Sequence, residues 1–89
     1  MAIRRTTGVF PGGGEVVLAG LPHRKALWFQ NQSATLTAEV SYASGFTIKS
    51  LAPSGVVNRA ATGSDIEGLQ GAITLRGTAG EAYDAEETY

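Results

Sequence analysis

Residues 35–42 read Thr-Leu-Thr-Ala-Glu-Val-Ser-Tyr, so that Leu36, Ala38, Val40 and Tyr42 alternate with Thr35, Thr37, Glu39 and Ser41. A period of two sends the apolar set to one face and the polar set to the other, as in a strand with one side on a core and one in water. Thr35, Thr37, Val40 and Ser41 form helices poorly, and the segment has no 3.6-residue face. Shorter runs of the same kind surround it: Glu15-Val16-Val17-Leu18, Lys25-Ala26-Leu27-Trp28-Phe29-Gln30, the series Phe46, Ile48 and Leu51, then Val56-Val57, Ile66 with Leu69, and Ala72-Ile73-Thr74-Leu75-Arg76. Turn residues separate them at Ala19-Gly20-Leu21-Pro22, Asn31-Gln32-Ser33, Ser44-Gly45, Pro53-Ser54-Gly55, Gly71 and Gly77. Breaks every ~8–12 residues are the rhythm of a sandwich or small barrel. The expected fold is all-β: a small antiparallel β-sandwich, jelly-roll-like, with an extended N-terminal arm.

The 89 residues, 43% of them hydrophobic, suit one domain with one core. Roughly 60–65% of the unfolded chain's surface can be buried at this size, which makes a lone domain modestly stable and oligomerisation a natural remedy. With no cysteine, disulfides, thiolate zinc sites and thiol nucleophiles are excluded. Residues 1–15 contain no apolar run of the kind a signal peptide needs, and no stretch approaches the ~18 apolar residues of a membrane span. The expectation is a soluble protein made in the cytoplasm. The seven Lys and Arg are scattered and the net charge is -1, the wrong pattern and sign for a nucleic-acid stripe.

Three segments are expected. Residues 1–14 end in Phe10-Pro11-Gly12-Gly13-Gly14, which suits no regular element and reads as an arm with a glycine hinge. Residues 15–81 are the sandwich, and residues 82–89 are an acidic tail. Arg4 and Arg5 stand near one end of the chain and Glu81, Asp84, Glu86 and Glu87 near the other. The ends admit two readings, solvated tails or complementary contacts with neighbouring subunits. Under the second, Ile3, Arg4, Arg5, Val9 and Phe10 in the arm and Tyr83, Glu86 and Tyr89 in the tail are the partner-binding residues.

Catalytic sets are thin, and no enzyme is expected. His23 is the single histidine, beside Pro22 in a turn, where a surface role is the simpler reading. Asp65 and Glu67, with Glu39, could hold a hard cation or serve as a solvated strand edge; the second reading is preferred, so no metal or other cofactor is expected. Gly12-Gly13-Gly14 lacks the Lys-Ser/Thr of a phosphate loop. Leu27-Trp28-Phe29 places three large apolar side chains in a row in a strand, so at least one leaves the core and marks an interface. Trp28 is therefore the remaining partner-binding candidate, and Trp28 or Tyr42 on an exposed face would alternatively make a carbohydrate-stacking platform.

Four stretches carry a family resemblance: Arg24-Lys25-Ala26-Leu27-Trp28-Phe29-Gln30-Asn31, Gly45-Phe46, Leu51-Ala52-Pro53-Ser54-Gly55, and Gly71-Ala72-Ile73-Thr74-Leu75-Arg76-Gly77-Thr78-Ala79-Gly80. Their order resembles small tailed-phage virion β-sandwich proteins, in which an R-x-x-L-x-I-Q-N strand, an L-x-P-G turn and a glycine-flanked strand ending in G-T-A frame the fold. It covers residues 16–81, departing where Ser54 replaces the first glycine of the turn. The resemblance implies a non-enzymatic particle component: a capsid decoration (cement) protein on the capsid surface, or a head-fibre, neck or tail accessory. It implies partners among the major capsid protein and other virion subunits, and a homotrimer.

Overall fold

The computed structural model describes residues 2–43, 45–60 and 69–89, and within them the chain forms eight strands. These are β1 (Ile3–Val9), β2 (Glu15–Leu18), β3 (Ala26–Asn31), β4 (Ala38–Ser41), β5 (Thr47–Leu51), β6 (Val56–Ala60), β7 (Ile73–Arg76) and β8 (Ala82–Thr88). One sheet has the order β1-β8-β3-β6 and the other β2-β7-β4-β5, with every pairing antiparallel. Four of these six pairings join strands whose numbers sum to nine: β1 with β8, β2 with β7, β3 with β6 and β4 with β5. The chain is thus one long hairpin with its tip at residues 42–46, rolled so that successive rungs alternate between two sheets. That is the jelly-roll arrangement, and the expected β-sandwich is the observed fold.

Period two makes the core. Leu27 and Phe29 of β3, Val40 of β4, Ile73 and Leu75 of β7 and Ala85 of β8 are fully buried between the sheets, joined by Phe10, Leu18, Ala38, Tyr42, Val57, Leu69 and Tyr83. Of the alternating segment 35–42, the apolar residues Ala38, Val40 and Tyr42 point inward as expected, but the strand begins only at Ala38 and Leu36 is exposed.

Where the hairpin crosses from one sheet to the other, its two legs are tied by polar groups. At the first crossing, Phe10 and Glu81 bond through their backbones, and Gly77 N–H donates to Gly14 at 2.8 Å. At the second, the buried Arg24 side chain reaches the carbonyls of Ala19, Leu69 and Gly71. At the third, the buried Asn31 amide donates to the carbonyls of Leu36, Leu51 and Ala52 at 2.8, 3.1 and 3.2 Å.

The expected arm and tail are corrected. Ile3–Val9 pairs along its whole length with Ala82–Thr88, so the first and last strands of the chain lie side by side and β8 runs between β1 and β3. The glycine cluster is no hinge: Gly14 N–H donates to Pro11 at 2.8 Å, closing a four-residue turn. Gly14 sits at φ +68°, where a side chain would be strained and a Cβ would strike the Gly77 carbonyl. The expected strand around Ile66 and the pair Asp65 and Glu67 lie outside the described residues.

Candidate functional site: the outer face of the first sheet

Leu27 and Phe29 point into the core, so β3 turns Trp28 to the opposite, outer face of its sheet. The register fixes its neighbours. Arg5 of β1 faces Glu86 of β8, Glu86 faces Trp28, and Trp28 faces Asn58 of β6. The adjoining row is Ile3, Thr88, Ala26 and Ala60. Thr88 and Ala26 are too short to fill the space beside the indole and the Arg5 and Glu86 side chains, which opens a groove of about 470 Å³ lined by Arg5, Ala26, Trp28, Asn58, Glu86 and Thr88.

The groove's electrostatics follow from its ion pairs. Arg5 is forked onto both oxygens of the buried Asp84, while its other terminal nitrogen stands 3.7 Å from Glu86. Asp84 thereby balances Arg5, and Glu86, which is partly exposed, keeps acceptor capacity toward solvent. On the inner side of the same strands, Glu87 is fully buried and accepts a bond of 2.8 Å from Arg4 on each carboxylate oxygen, with Arg24 bonded to the Oε2 atom at 2.6–2.8 Å. The hydrogen bonds to Glu87 raise the pKa of the Arg4 guanidinium, against an opposing effect of burial.

Of the expected partner-binding residues, Arg5, Trp28 and Glu86 meet in the groove. Ile3 and Val9 are each 59% exposed on β1, the edge of the sheet, and Tyr89 lies at the same margin, its backbone paired with Ala2. Arg4 is turned inward to Glu87. Phe10 and Tyr83 cannot serve as docking anchors. They are 2% and 6% exposed, their rings tilted against each other at 4.7 Å in the core, because both precede or follow the first crossing where the sheets close on each other. Tyr42 is likewise no exposed platform, since it is buried and stacks on Phe46. Asn58 and Thr88 were not foreseen. Asn58 opens what reads as a polar loop, and Thr88 stands in what reads as a tail, so only the strand register brings them to Trp28.

Elsewhere, His23 is exposed, and Glu39 is bound to Arg76, which also bonds Glu15 across the second sheet. The bond from Glu39 raises the Arg76 pKa. Among the described residues, no group of three or more His, Asp and Glu is placed to hold a metal ion. Comparison with protein-family models, with curated proteins and with solved structures gives no match.

Proposed function

We propose that this chain is a non-enzymatic structural protein of a tailed-phage particle, a decoration subunit that adds to the head shell and assembles with copies of itself as a trimer. The observation that carries the reading is the edge presented by β1. Its seven residues pair continuously with β8 on one side, and among the described residues no strand pairs with the other. Natural edge strands are commonly blunted by prolines, bulges or outward lysines. β1 has no proline, bulge or lysine, and the two charges it carries, Arg4 inward and Arg5 outward, are bonded to acids of β8 within the subunit, so they guard the open edge less than free charges would. The exposed Ile3 and Val9 stand on the same strand, so the edge offers both backbone groups and apolar anchors for strand addition by a neighbouring subunit.

On this reading the subunit acts mechanically. Contacts made only in the assembled shell are linked to its integrity, and their free energy adds to what expansion or rupture must overcome. The family resemblance of residues 16–81 supports the particle assignment, and the jelly-roll topology is one found in viral capsid domains. The test is the copy number of the chain relative to the major capsid protein, by quantitative mass spectrometry of purified particles. A ratio near that of the shell protein is expected. A ratio far below it moves the protein to the neck, tail or fibre attachment, and absence from particles overturns the proposal. The variant Ile3→Asp/Val9→Asp is expected to keep the sandwich folded and to lose particle occupancy.

A further inference from the structure

The groove beside Trp28 has chemistry that edge docking does not use. It lies on the outer face of the sheet, spanning all four strands from Arg5 of β1 to Asn58 of β6, and its volume of about 470 Å³ falls in the range of about 300–1,000 Å³ typical of small-ligand sites. Its lining combines one large aromatic side chain with hydrogen-bonding groups of several kinds: the Glu86 carboxylate, the Asn58 amide, the Thr88 hydroxyl and the Arg5 guanidinium. Ala26 contributes almost no side chain, so a flat ligand can lie low against the sheet.

We propose that this groove binds an uncharged saccharide, one pyranose ring packing on Trp28 with its hydroxyls bonded to Glu86, Asn58 and Thr88. The choice of ligand class follows from the lining. A sugar ring has apolar C–H faces suited to an aromatic surface and a rim of groups that both donate and accept. Glu86 accepts from such hydroxyls, and Asn58 and Thr88 both donate and accept. An anionic ligand is disfavoured, because Arg5 is already committed to Asp84 and Glu86 faces the same space. A simple cation would gain from Glu86 but would stand beside the Arg5 guanidinium and leave the amide and hydroxyl donors unused. The inference does not rest on the particle assignment and holds for the isolated chain.

Trp28 is the sole tryptophan, so tryptophan emission, excited selectively over the three tyrosines, reports on this groove. The purified full-length chain is titrated with maltotriose, cellotriose, N,N′,N″-triacetylchitotriose and a β-1,4-galactotriose, and with galacturonic acid trimer and choline as charged probes. At least one neutral trisaccharide is expected to give a saturable change in emission with Kd of about 0.1–5 mM, the affinity of a shallow site with few contacts. Amide shifts in NMR spectra are expected to move at Ala26, Asn58, Glu86 and Thr88. Trp28→Ala, followed by NMR, is expected to weaken binding by at least about tenfold and Glu86→Gln by about threefold to tenfold, with Trp28→Tyr restoring part of the loss. Saturation by choline or the uronic trimer in place of the neutral sugars would overturn the proposal. So would the absence of saturation by every neutral probe at about 20 mM, or unchanged affinity in a folded Trp28→Ala variant.

Discussion

Arg24 illustrates what a single buried side chain can decide. Its five N–H donors are taken up by Glu87 and by the carbonyls of Ala19, Leu69 and Gly71, so a fully buried guanidinium carries no unmet donor. Removing it strands the Glu87 carboxylate in the interior with only the partly exposed Arg4 for company. Arg24→Met is therefore expected to destabilise the fold by about 3–5 kcal/mol, the usual cost of breaking a buried pair from one side. Arg24→Met/Glu87→Met removes the orphaned charge as well and is expected to regain roughly 1–2 kcal/mol of that loss. Urea denaturation of both variants checks the pair, and equal midpoints would show that Glu87 finds another partner. None of this burial is legible in the sequence. An arginine between His23 and Lys25 reads as surface, and Glu87 reads as one acid of a tail, because what buries them is the convergence of residues 19, 69 and 71 from distant parts of the chain.

At the scale of elements, the central strands were legible and the first and last were not. The runs that became β2, β3, β5 and β7 announce themselves by apolar side chains between turns, and β4 by its alternation. In β8 the same period is present, with Tyr83, Ala85 and Glu87 inward, but a charge in the third inward position hides it. In β1 the inward residues at the same rungs are Arg4 and Thr6, so nothing apolar marks the buried side. The segregation of arginines to one end and acids to the other was a true signal of complementary contact, and the partner is the chain's own opposite end: Arg4 to Glu87, Arg5 to Asp84 and Glu86. The site was legible to the same extent. Leu27-Trp28-Phe29 required an outward residue, whereas the rest of the groove depends on register across four strands.

Two predictions follow from the elements. Deleting residues 1–9, harmless to a true arm, would here bare the backbone of β8 and the Glu87 cluster; loss of cooperative thermal unfolding is expected, and a truncated chain with an unchanged melting curve would contradict the pairing of β1. Asn31→Ala at the third crossing leaves three carbonyls without their amide donor, where an unsatisfied buried polar group costs about 1–3 kcal/mol. Asn31→Asp is expected to do no better, since a carboxylate cannot donate to carbonyls. Calorimetry on the two variants distinguishes this donor role from simple loss of volume, for which the isosteric Asp would be tolerated.

For the whole molecule, the nesting of strand pairs has a consequence for how the fold can be assembled. Ile3 pairs with Thr88, and the backbones of Ala2 and Tyr89 bond to each other at 2.6 and 2.8 Å, so the ends of the long hairpin meet. Joining residue 89 to residue 2 through a short glycine linker and opening the chain at the 42–46 tip turns the hairpin inside out. β8 and β1 then become the closed tip, β4 and β5 the open end, and all four rungs are retained. Ends that lie together and a cut in an exposed turn are the conditions under which circular permutants fold. Pairings that gain in sequence proximity, β3 with β8 among them, are offset by those that lose it, such as β3 with β6 and β4 with β7. The mean separation of contacts therefore changes little, and with it the expected folding rate, in the millisecond-to-second range usual for sandwiches. The permutant is expected to refold within about tenfold of the native rate. Stopped-flow fluorescence of Trp28 measures this directly, since the indole stays on the same strand in both chains. A permutant that folds orders of magnitude more slowly would show that the β4–β5 hairpin has to form first, and that the two ends of the roll are not equivalent starting points.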